Sequence, residues 1–157
     1  MMNEELLFSR ITDSAEATEA LGAELARALA SDASLPVFVA LYGDLGVGKT
    51  AFTRGVASVI SPGAPVRSPT FALVNEYRAA RGGRFSAVFH FDMYRIDSED
   101  DLDSIGFWDY PMRGGLILTE WSEKIPFALP EDYIRLTITK HADGEVLRTV
   151  TAERIRV

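Results

Sequence analysis

Apolar residues run without interruption from Val37 to Tyr42 and then give way to a glycine-rich segment. A short, partly β-branched run of this kind is typical of a strand that is buried on both faces of a sheet. Helical spacing follows over Ala51–Ile60, and Ser61-Pro62-Gly63 ends it. The order of strand, glycine-rich loop and helix predicts the first unit of an α/β fold.

The rest of the hydrophobic pattern predicts an edge strand over Leu6–Thr12 and an amphipathic helix over Ala15–Ala30. Two hairpins are predicted further along the chain. A short capped helix and then a buried strand lie between them. These elements are Phe71–Tyr77 with Phe85–Phe91, Ser98–Gly106, Leu116–Glu120, and Tyr133–Ile138 with Val146–Ala152. The pattern predicts a three-layer α/β fold with a mixed, largely parallel central sheet, in a single domain over residues 1–157.

The glycine-rich segment Gly43–Thr50 has the pattern G-x-x-x-x-G-K-[ST], which is typical of a phosphate-binding loop. Glycines let backbone N–H groups approach a phosphate closely, and the following helix presents its positive end to the anion. The Lys49 ammonium would then lie on the outer phosphates, and the Thr50 hydroxyl would bind Mg²⁺. The loop therefore predicts a nucleoside triphosphate site that uses Mg²⁺.

Charge and composition exclude several other functions. The chain carries 23 acidic and 16 basic residues, a net charge of −7, so it is not suited to sequence-independent nucleic-acid binding. It has no cysteine, which excludes disulfides, cysteine zinc sites and thiol catalysis. The lack of cysteine is also in keeping with a cytoplasmic protein. No apolar run approaches the roughly 18 residues of a membrane span, and the first residues do not resemble a secretory signal.

Two acids stand where predicted strands end. Asp92 follows Phe85–Phe91, and Glu120 closes Leu116–Glu120. The ends of strands are where an α/β sheet places ligand groups. In phosphate-loop nucleotidases an acid that ends a buried apolar strand, as Glu120 does, lies near Mg²⁺ or the attacking water.

Three further residues have two interpretations each. Thr70 precedes a predicted strand and is either a turn hydroxyl or a ligand group near the phosphates. Trp121 packs either near the site or in the core. Thr18 lies either on a capped surface helix or against the nucleotide base. His90 and His141 are too isolated in sequence to suggest a metal pair, and both are expected to be structural or exposed.

The sequence favours ATP as the nucleotide by elimination. A guanine-binding protein should carry N-K-x-D, and neither Asn3 nor Asn75 begins such a motif. A small-molecule kinase usually has an arginine-bearing lid, and no compact arginine-rich segment is present. A nucleotide-dependent binding switch, in which hydrolysis only resets the affinity for a partner, stays open as an alternative.

Four motifs occur along the chain in a fixed order and spacing. They are Gly43–Thr50, Ser68-Pro69-Thr70-Phe71, His90-Phe91-Asp92-Met93-Tyr94-Arg95 and Glu120-Trp121. In combination they resemble one family, the TsaE (YjeE-type) ATPases, although a phosphate-binding loop alone is not specific. The resemblance covers roughly Ser9 to Pro130. After Pro130 the match is weak.

The resemblance implies a bacterial ATPase that acts in the biosynthesis of threonylcarbamoyladenosine in tRNA. It implies binding to a complex of TsaB-like and TsaD-like proteins, contact with tRNA only through those partners, and hydrolysis of ATP to ADP and phosphate with Mg²⁺. It also implies that Lys49, Asp92 and Glu120 are catalytic and that Thr50 and Glu120 bind the metal, and it leaves open whether Asp92 or Glu120 orients the attacking water. Including Thr18, the nucleotide-binding set is Gly43, Asp44, Leu45, Gly46, Val47, Gly48, Lys49, Thr50, Ala51, Thr70, Trp121 and Thr18.

Ala51 departs from the family pattern, which often has a second hydroxyl residue at this position. That hydroxyl would contact the α-phosphate, so its absence removes one hydrogen bond, about 1 kcal/mol.

Overall fold

The computed structural model describes residues 2–44, 46–69, 73–142 and 144–157, which build a seven-stranded sheet with helices on both faces. The strands are β1 (Asn3–Thr12), β2 (Phe38–Tyr42), β3 (Val74–Arg78), β4 (Ala87–Asp92), β5 (Leu116–Glu120), β6 (Asp132–Lys140) and β7 (Arg148–Arg156). The α-helices are α1 (Ala15–Ser31), α2 (Lys49–Ile60) and α3 (Glu99–Ser104), and 3₁₀ helices cover Phe107–Arg113, Ser122–Lys124 and Pro126–Ala128.

The strand order is β1-β7-β6-β2-β5-β4-β3. The four central strands, β6, β2, β5 and β4, are parallel to one another, and β1, β7 and β3 pair antiparallel at the two sides. The two predicted hairpins are β3–β4 and β6–β7, and the predicted edge strand is β1. The mixed sheet with a parallel centre confirms the predicted fold class, and it brings the carboxyl ends of four strands to one edge.

Period-two alternation sends the side chains of each central strand to two separate cores. On β2, Val39 and Leu41 face the core shared with α1 and α2, and Phe38 and Ala40 face the core of α3 and the 3₁₀ helices. Because each position of β2 faces one core or the other, β2 is apolar throughout, whereas β6 alternates, with Arg135 and Thr137 only half-buried. The predicted three layers are therefore confirmed.

The short acidic helix is α3, and it is capped as predicted, because the Ser98 hydroxyl accepts a hydrogen bond from the Asp101 N–H. The 3₁₀ segment Phe107–Arg113 was not predicted, because its aromatic residues follow no helical period. Phe107 is buried there with its ring edge-to-face against Phe38 and Phe91. Among the described residues, no helix is both long enough and apolar enough to cross a bilayer.

Helices α1 and α2 approach each other through two glycines. A Cβ atom on Gly22 would lie 2.1 Å from the carbonyl oxygen of Phe52, and one on Gly55 would lie 1.8 Å from that of Glu19. Both distances are far below van der Waals contact, so only glycine allows this separation of the helix axes. The helix that follows the glycine-rich loop is thereby held against a second helix along its length.

Gly55→Ala should lower the free energy of unfolding by about 1–3 kcal/mol, because the added methyl group meets backbone that cannot move aside as a side chain would. The better helix propensity of alanine offsets only about 1 kcal/mol of the clash. Denaturant unfolding measures the difference. Gly83→Ala is the matched control, since no atom lies within 4 Å of its Cβ position, and it should change stability by less than about 0.5 kcal/mol. A Gly55→Ala chain as stable as the original would contradict the close helix contact.

Candidate functional site

The glycine-rich loop connects the carboxyl end of β2 to the first residue of α2. Its glycines have positive φ angles of 145° at Gly43, 80° at Gly46 and 119° at Gly48, which L side chains rarely adopt. A Cβ atom on Gly43 would also lie 2.4 Å from the carbonyl oxygen of Ile138 on β6. The backbone therefore requires glycine at the positions that the phosphate-loop pattern specifies. Leu45 lies outside the described residues.

The amino end of α2 is open to an anion. Gly48 is the N-cap residue and supplies no side-chain hydrogen bond, and the first turn contains no acidic residue. The first N–H groups of the helix and its positive dipole end are therefore not neutralised by a cap. Thr50 lies half-buried in this first turn, and Ala51 beside it is buried.

The Lys49 side chain folds back over the loop. Although it is charged, Lys49 is only 6% exposed, and its ammonium donates a 2.7 Å hydrogen bond to the carbonyl oxygen of Gly43. The ammonium also lies 5.3 Å from the centre of the Trp121 ring, a cation–π distance. Trp121 in turn packs on Tyr94, with 4.9 Å between the ring centres. The structure thus places Trp121 beside the loop lysine rather than deep in the core.

Asp92 and Glu120 meet at the same edge of the sheet. They are the last residues of β4 and β5, which are parallel and pair these two residues directly, and both are buried. The Asp92 carboxylate accepts a 2.9 Å hydrogen bond from the Tyr94 N–H. Because β5 also pairs with β2, Glu120 ends beside the strand from which the glycine-rich loop emerges. The two acids, Lys49 and the start of α2 therefore lie at one end of the parallel strands.

His90 is a residue of this site that the sequence analysis missed. Its Nε2 lies 2.5 Å from Oε2 of Glu120, and the imidazole is fully buried. Among the described residues its Nδ1 has no hydrogen-bond partner. The sequence signal was the spacing His90-Phe91-Asp92, which puts both polar residues on one face of a strand. Only the pairing of β4 with β5 shows that Glu120 lies on that face too.

Thr18 is buried and lies on the loop side of α1 rather than on a surface face. Its hydroxyl lies 2.8 Å from that of Thr12 in a buried hydrogen bond, and its methyl group is 3.5 Å from a Cβ position on Gly48. It lines a cavity of about 260 Å³ beside the loop. The other lining residues are Asp13, Ser14, Ala15, Gly46, Val47, Gly48, Val146 and Arg148. Val146 and Arg148 come from the last hairpin, and no sequence signal linked that hairpin to the loop.

Tyr42 is the last residue of β2 before the loop. Burial, reinforced by nearby Tyr133 and Glu123, raises the pKa of Tyr42 to about 12. Its phenol therefore keeps its proton throughout the physiological range and adds no negative charge at the base of the loop. Thr70, the remaining predicted site residue, and Phe71 of the same motif lie outside the described residues.

Comparison with known proteins extends over most of the chain. A family model described as threonylcarbamoyl adenosine biosynthesis protein TsaE matches residues 12–150. A Haemophilus influenzae protein named tRNA threonylcarbamoyladenosine biosynthesis protein TsaE is 39% identical over 114 residues, covering 73% of this chain and 70% of the relative. A Bacillus subtilis protein of the same name is 36% identical over 112 residues, covering 71% and 67%.

The fold is also similar to a solved structure. The crystal structure of Bacillus subtilis YdiB superposes with a TM-score of 0.72 at 27% identity, covering 98% of this chain and 86% of that one. The family match includes the glycine-rich loop, both strand-end acids and the start of the last hairpin. The chain therefore belongs to the TsaE family.

Proposed function

We propose that this protein is a Mg²⁺-dependent ATPase of tRNA threonylcarbamoyladenosine biosynthesis, acting in the cytoplasm as one domain over residues 1–157. The observation that carries the proposal is the meeting of Lys49, Asp92 and Glu120 at the open amino end of α2. The biosynthetic role is supported by membership of the TsaE family and by the names of the relatives.

The loop supplies what a triphosphate requires. Backbone N–H groups at the start of α2 face the loop without a capping side chain, and such groups bind phosphate oxygens. The Lys49 ammonium, which donates to Gly43 here, would instead donate to the outer phosphates and offset the charge that develops on them. The binding set is the loop, residues 43–51, with Thr70 as a further ligand beyond the described residues.

The donor set also fits Mg²⁺. Among the described residues, no group of three histidine, cysteine, aspartate or glutamate side chains could hold a metal by itself. Mg²⁺ at a nucleotide site needs only one or two protein ligands, since phosphate oxygens and water complete its octahedron. The Thr50 hydroxyl and the Glu120 carboxylate would hold the ion at the end of β5. When bound, Mg²⁺ would neutralise charge on the β- and γ-phosphate oxygens.

Hydrolysis requires a group that orients water on the γ-phosphate. Asp92 and Glu120 are paired neighbours at the sheet edge, so one can hold the metal while the other orients the water. Glu120 is engaged by His90, and Asp92 accepts only the local N–H of Tyr94 among the interactions described. This difference favours Glu120 as the metal ligand and Asp92 as the residue that orients the water.

The cavity beside the loop is suited to the nucleoside. Thr18, Gly48 and Arg148 surround it from three different elements, and its volume of about 260 Å³ borders the phosphate-binding backbone. Trp121, whose ring lies beside the Lys49 ammonium, would lie against the phosphates or the ribose. ATP and ADP share these contacts, so both nucleotides should bind.

The expected partner is a complex of TsaB-like and TsaD-like proteins, with tRNA reached only through that complex, in keeping with the net charge of −7. A second candidate function, a nucleotide-dependent binding switch, is favoured by the contact of Trp121 with Tyr94. Tyr94 is 58% exposed, so a change at Lys49 on nucleotide binding would reach the surface through two rings in contact. Partner affinity measured with ATP, ADP and a non-hydrolysable analogue discriminates the two functions.

Lys49→Ala should lower ATP affinity and hydrolysis by at least about 100-fold, because the phosphates lose their only buried positive side chain in the loop. Isothermal calorimetry and phosphate release measure the two losses. Arg54→Ala is the matched control, since it removes one exposed positive charge from the same helix α2 and leaves the loop intact. Equal losses in both variants, or full activity of Lys49→Ala, would contradict the phosphate-loop assignment.

Glu120→Gln should lower Mg²⁺-dependent turnover by at least about tenfold and leave Mg²⁺-free ADP binding within about twofold, because a neutral amide is a poor ligand for a hard cation. Titration of turnover with Mg²⁺ and calorimetry in EDTA separate the two effects. The exposed acid Glu123, three residues later, is the control and should tolerate the same substitution. An equal loss of both properties would indicate a structural role for Glu120.

Turnover should rise when the TsaB-like and TsaD-like proteins of the same cell are added, because the described residues place no arginine side chain against Lys49 or the paired acids to stabilise the transition state. Initial rates of phosphate release with and without the purified partners test this. The same rate in both conditions would show that the isolated chain already holds a complete catalytic site.

A further inference from the structure

The buried contact between His90 and Glu120 carries a role that the motif pattern does not assign. We infer that His90 is a positioning residue. Its imidazole holds Oε2 of Glu120 by a hydrogen bond and so would orient the carboxylate for binding the metal. This inference rests on the proposed Mg²⁺ site. It concerns how strongly that site binds Mg²⁺, not whether the loop binds phosphate.

The sheet register places His90 behind the site. His90 lies on β4 opposite Leu118 of β5, and Asp92 two residues later lies opposite Glu120. His90 and Glu120 are therefore on the same face, with the histidine one step further into the sheet, and it is completely buried. The His90 side chain therefore does not reach solvent, and it lies directly behind Glu120, the acid at the end of β5.

The chemistry of the contact identifies the donor. An ionised carboxylate only accepts hydrogen bonds, so the proton of the contact lies on Nε2 of His90, and the other polar atom of the ring is Nδ1. That Nδ1 is buried without a partner among the described residues. A buried polar atom without a partner costs stability, and an apolar side chain of similar size would avoid the cost. The imidazole therefore adds little to the core apart from its hold on Glu120.

Glu120 is held at two points, by His90 of β4 and by Met93, the residue directly after β4. The Met93 N–H donates a 3.0 Å hydrogen bond to the Glu120 carbonyl oxygen, and His90 holds the carboxylate. Beyond Glu120 the backbone leaves the strand, since Trp121 has a φ of 57°. A carboxylate fixed in this way loses less conformational freedom when it binds a metal, and partners of this kind raise metal affinity by about 10- to 100-fold.

Three substitutions separate the hydrogen bond from packing. His90→Gln can keep an N–H donor near the position of Nε2, whereas His90→Asn is too short to reach Glu120 and His90→Leu fills the space without a donor. Val88→Ala is the control for lost stability, since Val88 is buried on the same face of β4 two residues further from the site. Thermal unfolding verifies that each variant folds.

The measurement is the affinity of each folded variant for a non-hydrolysable ATP analogue, by calorimetry with Mg²⁺ and with EDTA. The ratio of the two affinities reports the metal contribution. We expect His90→Asn and His90→Leu to lower this ratio by about 10-fold or more, with the EDTA affinity unchanged. His90→Gln should stay within about threefold of the original chain, and Val88→Ala should leave the ratio unchanged despite its lower stability.

Three results would overturn the inference. Unchanged ratios in both His90→Asn and His90→Leu would make His90 a core residue only. A drop in His90→Gln as large as that in His90→Leu would tie the affinity to packing rather than to the donor. A drop in the affinity ratio of the same size in Val88→Ala would also tie the affinity to packing. If the original chain bound the analogue equally with Mg²⁺ and EDTA, the proposed Mg²⁺ site itself would fail, and the two failures are thus distinguishable.

Discussion

The parallel pairing of β4, β5 and β2 is the constraint on which the site depends. Parallel neighbours end at the same edge of a sheet, so Asp92, Glu120 and the glycine-rich loop emerge together although they are far apart in sequence. Both faces of these strands are covered by helices, so their apolar side chains are buried in the two cores. The register of β4 against β5 also places His90 on the same face as Glu120, one step further into the sheet.

The helical layer on one face holds the loop in place. Gly22 and Gly55 let α1 lie directly against α2, the helix whose amino end would form the anion site. The same contact brings Thr18 against Gly48, so the packing of two helices also forms one wall of the cavity beside the loop. Stability and binding share these residues, and a loss of the close helix contact would displace both the loop and the cavity.

A buried ammonium needs partners, and Lys49 has two different kinds. The Gly43 carbonyl oxygen accepts its hydrogen bond, and the ring of Trp121 faces its charge. Trp121 packs on the exposed Tyr94, two residues after Asp92 in the chain. The residue that would hold the outer phosphates is therefore in contact with an aromatic pair that reaches the surface.

The sequence by itself determined the strand–loop–helix unit, the α/β class and the family, because glycine spacing and apolar runs are local and each tolerates few alternatives. Glu120 and Asp92 were recognisable as strand-end acids for the same reason. Only the tertiary structure decided that His90 contacts Glu120, that Thr18 turns toward Gly48, and that Arg148 of the last hairpin lines the same cavity. These contacts depend on strand register and on the distance between helices, which are set by packing across the whole chain and leave no local pattern in any one segment.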